Sequence, residues 1–387
     1  MQRCKPATPF GGKFRIVDFV LSNCVNSGIR KIFVMTQYKG QSLIQHLQHG
    51  WNYLRGELNE FIDVVPAQQQ IGPHWYRGTA DCIYQNLDLI RANNPEHVLV
   101  LAGDHIYKMD YGPMIAVHDE QKADITIGVV QVPIATACEF GVLSVTETNR
   151  VIGFDEKPAH PQPMPGNSGV ALASMGIYVF TAALLEELLL ANAAAAESEH
   201  DFAKNIIPGA IGRLNVLAYP FTDVKTRAQN YWRDVGTVDA YYEANIELVH
   251  VAPELNLYDE DWPIWTHQRQ QPPAKFVLND DGRRGIAINS MVSGGCIVSG
   301  AMIEQSMLFS GVHVQERSHL LRSLVLPDTH IGPGCKIQRA IIDEGCDVPA
   351  GLTVGQDRAR DAAHFHVTGN GVVLVTQQML RALAPAS

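Results

Sequence analysis

The chain has 387 residues, of which 46% are hydrophobic, and a formal net charge of -10 at pH 7. This length suits two domains with packed cores better than one. The acidic balance argues against general binding to nucleic acids or anionic membranes, because a polyanion repels an acidic surface.

The first 40 residues are unlike the rest in charge. Against one acid, Asp18, they hold seven basic residues: Arg3, Lys5, Lys13, Arg15, Arg30, Lys31 and Lys39. This local excess favours a small anionic ligand, although a solvated basic face gives the same pattern.

Residues 14 to 250 alternate short apolar runs with amphipathic segments. The pattern indicates α/β structure around a mostly parallel sheet. Buried strands are predicted at 31–36, 97–103 and 123–132. A helix is predicted at 183–196, where strong helix formers continue without Gly or Pro.

Four prolines between residues 252 and 275 mark a linker. Beyond it, apolar residues recur about every six positions, with small or turn residues between them. This period predicts a β-helix in which inward aliphatic side chains stack between coils, with ordinary hairpins as the alternative. The open ends and flat sides of such a stack favour an oligomer. The apolar residues of the period are Ile297, Ile303, Phe309, Ile331, Ile337, Ile342, Val348 and Val354.

The seven cysteines form no Cys-x-x-Cys pair, and the fifteen histidines show no spacing typical of metal ligands. Both observations argue against a disulfide framework and a zinc site. The chain opens without a secretory leader and has no apolar run of about 18 residues. We therefore expect a cytoplasmic protein.

Two aspartates are candidates for a shared metal ion. Asp104 follows the apolar run 97–103, and ligands of open α/β sheets bind beyond the carboxyl ends of strands. Asp234 precedes a helical stretch in "YWRDVGTVDAYYEAN". A turn aspartate and a helix cap are the alternative interpretations.

Four further residues suit a phosphorylated sugar or nucleotide. Lys157 offers a point charge to a phosphate, and Glu156 can accept a sugar hydroxyl if the backbone turns there. A surface ion pair is the alternative. Gly78 and Thr79 precede a helix, whose first amides are able to receive a phosphate or a base edge.

Several motifs together resemble bacterial ADP-glucose pyrophosphorylase, the glucose-1-phosphate adenylyltransferase family of glycogen synthesis. The resemblance runs in order from residue 2 to residue 381. The motifs are "FGGKFRIVDFVLSNCVNSGI", "TQY", "WYRGTAD", "LAGDHIYKMDY", "FGV", "EKP", "SMGIYVF", "HDF" and "YWRDVGT".

The resemblance implies a nucleotidyltransferase-type (Rossmann-like) domain at 1–251, a linker at 252–285, and a left-handed β-helix with a regulatory segment at 286–387. It implies a homotetramer under allosteric control by sugar phosphates and adenylates or phosphate. The reaction would convert ATP and glucose 1-phosphate into ADP-glucose and diphosphate.

The family's residue roles carry over to matching positions. Mg²⁺ would be held by Asp104 and Asp234, and Lys5 would lie near the ATP phosphates. Glucose 1-phosphate would be held by Tyr76, Gly141, Glu156, Lys157 and Ser174, with Asp201 close to the sugar. The nucleotide pocket would include Gln37, Trp75, Gly78 and Thr79.

This chemistry explains why the sequence offers no obvious His or Ser nucleophile. The second pKa of a phosphate monoester is about 6, so glucose 1-phosphate is already anionic at neutral pH and needs no general base. An in-line attack on the α-phosphorus needs charge neutralisation and alignment.

Two departures from the family pattern stand out. The family's Gly-Gly-x-Gly-Thr-Arg loop, which holds the triphosphate, and the strand before it have no counterpart in this sequence. We therefore expect a poorly active, aggregation-prone chain. A comparison of its activity with that of an upstream-extended chain tests this expectation.

The second departure concerns regulation. Members activated by fructose 1,6-bisphosphate and inhibited by AMP carry basic residues at five positions that differ here, while Arg3, Arg15 and Arg381 remain. The loss of five positive charges argues against that effector pair. The five positions are occupied by Gln2, Pro9, Ala92, Glu344 and Gln377.

Three alternatives stay open at this stage. A catalytically impaired regulatory subunit would keep the fold and lack the triphosphate loop, but it would not need both aspartates and Lys157. A hexapeptide acyltransferase resembles only residues 290–355. A related pyrophosphorylase that uses UTP or dTTP would be separated by a nucleotide panel.

Overall fold

The computed structural model describes residues 3–37, 39–69, 71, 74–222, 228–280 and 283–383. Gln2 lies outside these ranges. The helices are α1 (Ile16–Asn26), α2 (Gln41–Gly50), α3 (Thr79–Tyr84), α4 (Leu87–Asn93), α5 (Gly112–Glu120), α6 (Ala182–Ala194), α7 (Ile207–Ala210), α8 (Val238–Glu247), α9 (Arg358–His364) and α10 (Gln377–Leu383).

The strands of the first half are β1 (Pro9–Phe10), β2 (Phe14–Arg15), β3 (Lys31–Thr36), β4 (Phe61–Pro66), β5 (His97–Leu101), β6 (His105–Tyr107), β7 (Ile125–Pro133), β8 (Gly141–Val145), β9 (Val151–Glu156), β10 (Val170–Thr181), β11 (Val216–Pro220) and β12 (Trp232–Asp234).

The strands of the second half are β13 (Lys275–Val277), β14 (Asn279–Asp280), β15 (Arg283–Arg284), β16 (Ile286–Ile288), β17 (Met291–Val292), β18 (Ile297–Ser299), β19 (Met302–Glu304), β20 (Met307–Leu308), β21 (His313–Val314), β22 (His319–Leu321), β23 (Leu324–Val325), β24 (His330–Ile331), β25 (Lys336–Gln338), β26 (Ala340–Ile342), β27 (Asp347–Val348), β28 (Thr353–Val354), β29 (His366–Val367) and β30 (Val373–Val375).

The central sheet of the first half has the order β11-β7-β10-β8-β9, and β5 also pairs with β10. β5, β7, β8 and β11 run in one direction, and β9 and β10 run in the opposite direction. The predicted α/β fold is confirmed, with one difference. The sheet is mixed, because β10 lies antiparallel to β5, β7 and β8.

The predicted strands at 31–36, 97–103 and 123–132 and the helix at 183–196 are present as β3, β5, β7 and α6. Only β7 is largely buried; most residues of β3 and all of β5 are partly exposed. Within the described chain, β3 pairs with β4 and β5 pairs with β10, so each has a strand partner on one side. The open edge explains their lower burial.

The second half is a parallel β-helix, and three sheets form its sides. The sheets follow the orders β13-β18-β21-β24-β27, β16-β19-β22-β25-β28 and β17-β20-β23-β26-β30-β29. The first strand of the β-helix, β13, pairs in parallel with β18 and lies inside the predicted linker 252–285. The β-helix that the six-residue period predicts is therefore confirmed.

Two members of the predicted inward stack are misplaced. Val298, rather than Ile297, is buried in the β-helix core and stacks on Val314. Phe309 is fully buried but packs in a separate cluster that includes residues of the first half, such as Phe10. Successive side chains of a strand point to opposite faces of its sheet. The six-residue period alone therefore does not show which of two adjacent apolar residues points into the β-helix.

The two halves share this last apolar cluster, which joins the β1–β2 hairpin, α8 and one face of the β-helix. Hydrogen bonds reinforce it. Ser293 Oγ donates to the Gly12 carbonyl at 3.0 Å, and Tyr242 Oη donates to the Arg322 carbonyl at 2.5 Å. A Cβ on Gly12 would lie 2.8 Å from Ser293 Oγ, and the φ of Gly12 is +89°, so both space and backbone favour glycine.

Asp18 ties α1, α2 and the linker together. Its carboxylate is fully buried and accepts hydrogen bonds from Arg15 N (2.8 Å), Trp51 Nε1 (2.9 Å) and Thr266 Oγ1 (2.7 Å). His46 Nε2 lies 2.6 Å from the same carboxylate. The sequence offered Asp18 only as a lone acid in a basic segment, whereas it is a structural junction.

No helix in the described part of the chain is long and apolar enough to cross a membrane. The seven cysteines are free thiols. Burial raises the pKa of Cys24 to about 12, so this thiol stays protonated in the core.

We expect folding stability to fall as the pH drops below the ordinary histidine pKa of 6.5. His118 is 1% exposed, and burial followed by the nearby His97 lowers its pKa, although Asp119 and Asp124 oppose the shift. Below pH 6.5 the unfolded chain takes up a proton that folded His118 resists, so acid favours unfolding. Above pH 6.5 this effect is absent.

Urea unfolding of the wild type and of His118→Asn at about pH 7.5 and about pH 5.5 measures this effect. The variant should lose less unfolding free energy between the two pH values. An equal loss in both proteins would show that His118 does not carry the dependence.

Candidate functional site

Asp104 and Asp234 come from two paired strands. Asp104 directly precedes β6, and Asp234 is the last residue of β12. In the antiparallel pairing of β6 with β12, Asp234 lies opposite His105, the residue after Asp104. The pairing therefore brings the two aspartates to neighbouring positions at one end of these strands.

Lys5 lies beside both aspartates. Its Nζ is 4.0 Å from Asp104 Oδ2. A Cβ on Gly236 would lie 3.1 Å from Lys5 Nζ and 2.9 Å from Asp234 Oδ1, so the lysine also approaches the second carboxylate. The side chain of Lys5 is 56% exposed, which leaves its ammonium group accessible to an anion.

His105 and Trp232 support this end of the two strands. His105 Nδ1 lies 3.0 Å from the carbonyl oxygen of Met175. Because a carbonyl only accepts, Nδ1 carries the proton and Nε2 faces Asp104 Oδ1 at 3.8 Å. The His105 ring packs edge-to-face on Trp232 at 5.0 Å. This arrangement fixes the imidazole. Both residues lie in quoted motifs, but the sequence analysis did not predict their contact.

Gly141 and Glu156 face each other across the β8–β9 pairing. A Cβ on Gly141 would lie 2.6 Å from Phe154 Cζ and 2.9 Å from Glu156 Oε2, so a larger residue would displace the ends of both side chains. Lys157 follows with φ +49°, in the left-handed region. The strand alternation ends at Glu156, and the backbone turn that the sequence analysis required is present.

Ser174 and Tyr178 lie where the register of β10 with β7 shifts. Ser174 Oγ is 3.4 Å from Tyr178 Oη and accepts a bond from Gly176 N at 3.2 Å. Burial raises the pKa of Tyr178 to about 12, and the charges of Asp201 and Glu156 add to the shift. Tyr178 thus belongs to the same region as Ser174. It lies in the motif "SMGIYVF", but the sequence analysis gave it no role.

Asp201 caps the π-helical turn 202–206. Its Oδ1 accepts bonds from Ala203 N at 2.8 Å and Lys204 N at 3.2 Å. Burial raises the pKa of Glu156, Lys157 lowers it and Asp201 raises it. Three of the predicted sugar-side residues, Glu156, Lys157 and Asp201, therefore interact electrostatically.

Of the predicted nucleotide residues, Gln37 contacts the backbone of Tyr76. Gln37 Nε2 donates to the Tyr76 carbonyl at 3.4 Å, and Asn86 Nδ2 donates to Tyr76 Oη at 2.9 Å. Burial raises the pKa of Tyr76. Trp75 is 56% exposed, an unusual position for an indole and a suitable surface for stacking a base.

The start of α3 differs from the sequence interpretation. Ala80 N and Asp81 N both donate to the His200 carbonyl, at 2.8 and 3.3 Å, so these two amides are not available to a phosphate or base. A Cβ on Gly78 would lie 2.3 Å from the same carbonyl oxygen. Gly78 is thus required by the close approach of two backbone segments.

Two arginines of the basic N-terminal segment are engaged within the protein. Arg3 pairs with Asp343 and Glu344 of the β-helix half. Arg15 Nη1 donates to two backbone carbonyls, at 3.1 and 3.3 Å, and burial lowers its pKa. Among the predicted effector residues, Arg381 is exposed on α10.

A cavity of about 270 Å³ lies between the two halves. Its lining includes Lys13, Arg15, His267, Arg269 and Glu344. Of the described residues predicted for the effector site, Arg15 lines this cavity, whereas Arg3 and Arg381 do not.

Asp104 and Asp234 fit a divalent cation by their chemistry. No group of three or more His, Cys, Asp or Glu side chains forms a metal cage in the described ranges. Magnesium commonly takes only one or two carboxylates and completes its octahedron with water and substrate phosphates. Two neighbouring carboxylates with a lysine beside them are therefore a suitable partial ligand set for magnesium.

Two family models match the chain. Residues 1–250 match the family "Nucleotidyl transferase", and residues 272–375 match "GlmU-like, C-terminal hexapeptide". The second match and the stacked parallel strands identify a left-handed β-helix.

Curated relatives match almost the whole chain. It is 58% identical to the glucose-1-phosphate adenylyltransferase of Nitrosococcus oceani, over 98% of this chain and 90% of the relative. It is 57% identical to glucose-1-phosphate adenylyltransferase 2 of Alkalilimnicola ehrlichii, over 98% and 89%. The glucose-1-phosphate adenylyltransferase of Methylococcus capsulatus is 56% identical, over 98% of this chain and 89% of the relative. The chain belongs to the glucose-1-phosphate adenylyltransferase family.

Proposed function

We propose that the protein transfers the adenylyl group of ATP to α-D-glucose 1-phosphate, forming ADP-glucose and diphosphate for glycogen synthesis. The observation that carries the proposal is the convergence of Lys5, Asp104 and Asp234 at one end of β6 and β12. The names of the curated relatives supply the substrates.

The protein's own residues bind and align the reactants. The phosphate of glucose 1-phosphate is already ionised at neutral pH, so its oxygen attacks the α-phosphorus without a general base. Lys157 lies beside the incoming phosphate, and Lys5 lies beside the triphosphate. Their ammonium groups offset the repulsion between the two anions and the charge that develops on the diphosphate.

Mg²⁺ is the cation we propose for Asp104 and Asp234. When bound, it supplies a Lewis-acid charge to the phosphate oxygens. The support is the donor set: two neighbouring carboxylates, each partly exposed, with no competing cysteine or histidine cage in the described chain.

The remaining roles divide between two substrates. For glucose 1-phosphate we propose Tyr76, Gly141, Glu156, Lys157 and Ser174, with Asp201 near the sugar. Two observations support this grouping: Gly141 pairs with Glu156, and the charge of Asp201 raises the pKa of Glu156. For the nucleotide we propose Gln37 and Trp75, with Gly78 and Thr79 at its edge.

The test is product formation. The purified chain is incubated with glucose 1-phosphate, Mg²⁺ and one of ATP, UTP or dTTP, and nucleotide sugar and diphosphate are quantified. ATP should give ADP-glucose, with the other nucleotides at least about ten-fold poorer in kcat/KM. Preferential use of UTP or dTTP, or formation of no nucleotide sugar, would refute the assignment.

The relatives support a catalytic chain, and nothing in the comparisons favours a regulatory subunit with impaired catalysis. A hexapeptide acyltransferase is disfavoured too, because the resemblance to the adenylyltransferases covers both halves of the chain.

We also propose that the enzyme is a cytoplasmic homotetramer, as the family resemblance implies. The β-helix exposes large apolar side chains, among them Phe276, Leu278, Ile288 and Met302, which a second subunit would cover. We also propose that the linker ends at residue 274, because β13, which begins at Lys275, already pairs in parallel with β18. Light scattering after size exclusion should give four times the monomer mass.

Fructose 1,6-bisphosphate should change turnover by less than about two-fold. Arg3, which the resemblance assigns to effector binding, already pairs with Asp343 and Glu344, and Glu344 adds a negative charge to the cavity between the halves. Both features disfavour a polyanionic effector.

Titration of turnover with fructose 1,6-bisphosphate, fructose 6-phosphate, pyruvate and phosphate measures the effector response. Activation of more than ten-fold by fructose 1,6-bisphosphate would contradict the expectation.

A further inference from the structure

Two loops that were predicted to serve different substrates are joined in the fold. We call residues 75–81 the nucleotide loop and residues 199–206 the sugar loop. The His200 carbonyl accepts bonds from Ala80 N and Asp81 N, at 2.8 and 3.3 Å. The Gly78 Cα lies so close to this carbonyl that a Cβ would be 2.3 Å from its oxygen. Two backbone hydrogen bonds and a close backbone contact therefore join the nucleotide loop to the sugar loop.

Thr79 continues this contact with its side chain. Its Oγ1 is 2.9 Å from Asp201 Oδ2 and also accepts a bond from Phe202 N at 3.1 Å. A hydroxyl has one proton, and an ionised carboxylate only accepts, so Thr79 donates to Asp201. Its single donor is thus used inside the protein and is not available to a nucleotide.

The bond from Thr79 completes the fixation of Asp201. The other oxygen, Oδ1, accepts from Ala203 N and Lys204 N. A carboxylate offers about four lone-pair sites, so these three bonds set the rotamer and leave Oδ2 able to accept one more. The charge of Asp201 also raises the pKa of Glu156 and Tyr178, which indicates that it lies within their field.

We propose that Thr79 is a positioning residue for the sugar phosphate rather than a nucleotide contact. Its hydroxyl fixes the Asp201 carboxylate, which lies near the sugar of bound glucose 1-phosphate. The inference rests on the proposed function and changes the role of one residue within it. It assigns glucose 1-phosphate affinity to a residue on the nucleotide loop.

Steady-state kinetics with each substrate varied in turn test this assignment. Thr79→Val removes the hydroxyl and keeps the shape of the side chain. The KM for glucose 1-phosphate should rise about ten-fold, because binding must then order an Asp201 carboxylate that Thr79 no longer fixes, while the KM for ATP changes less than about two-fold. Thr79→Ser keeps the hydroxyl and should stay within about two-fold of the wild type in both.

Thr148→Val is the matched control, because Thr148 is exposed and bonds only locally to Thr146. It should leave both KM values unchanged. If Thr79→Val does not fold, Thr79→Ala replaces it, with circular dichroism as the check. A rise in the KM for ATP alone, or an equal rise in both KM values, would overturn the positioning role.

A binding measurement separates this inference from the proposed function. Calorimetric titration with glucose 1-phosphate needs no turnover. If the wild type binds glucose 1-phosphate but makes no ADP-glucose, the proposed function fails, and weaker binding by Thr79→Val still supports the positioning role. Equal binding by wild type and Thr79→Val refutes it, and a wild type that binds no glucose 1-phosphate refutes both.

Discussion

Asp104→Asn should lower kcat by about 10³-fold without unfolding the protein. The substitution removes one charge and almost no volume, and the side chain of Asp104 is 32% exposed, so the fold loses little. The cation that we propose for Asp104 and Asp234 would lose a ligand, and Lys5 would lose a partner. Steady-state turnover of ADP-glucose formation is the measurement.

Asp63→Asn is the matched control, because Asp63 is an exposed carboxylate on β4. Its kcat should stay within about two-fold of the wild type. Thermal unfolding of both variants checks the fold. Normal turnover in Asp104→Asn, with a folded protein, would remove Asp104 from the reaction.

Gly78→Ala should destabilise the protein by about 3 kcal/mol and abolish most turnover. The φ of Gly78 is -165°, extended backbone that alanine adopts without strain, so the effect is purely steric. The new Cβ would lie 2.3 Å from the His200 oxygen and 2.5 Å from the Glu199 oxygen. Both obstacles are backbone atoms, so relief requires the nucleotide loop and the sugar loop to separate.

Gly209→Ala is the counterpart. A Cβ on Gly209 meets no heavy atom within 4 Å, so this variant should be neutral or more stable by about 0.5–1 kcal/mol. Urea unfolding compares the two. A stable, active Gly78→Ala would mean that the two loops are not held as described.

The elements that the sequence predicted are those whose signal is local. The apolar runs of β3, β5 and β7 and the six-residue period of the β-helix lie within short windows. The direction of β10 has no such signal, because an apolar run reads the same for either pairing. The inward face of the β-helix was misplaced at Ile297 for a similar reason: adjacent apolar residues leave the phase of a strand open.

The same limit applies to the site. The motifs around Asp104 and Asp234 identify both residues, but their proximity depends on β6 pairing with β12 across more than a hundred residues. The bond from Thr79 to Asp201 and the packing of Gly78 on His200 are also long-range contacts. The motif "WYRGTAD" indicates a nucleotide role for Gly78 and Thr79, but it carries no information about the segment against which this loop packs.

The most direct test of the proposed chemistry is a crystal structure of the chain with Mn²⁺, glucose 1-phosphate and a non-hydrolysable ATP analogue, with anomalous data to locate the metal. We predict an anomalous peak within about 2.5 Å of carboxylate oxygens from both Asp104 and Asp234, and also in contact with a nucleotide phosphate. A peak bound by neither aspartate, or a nucleotide lying away from Lys5, would contradict the shared-cation site.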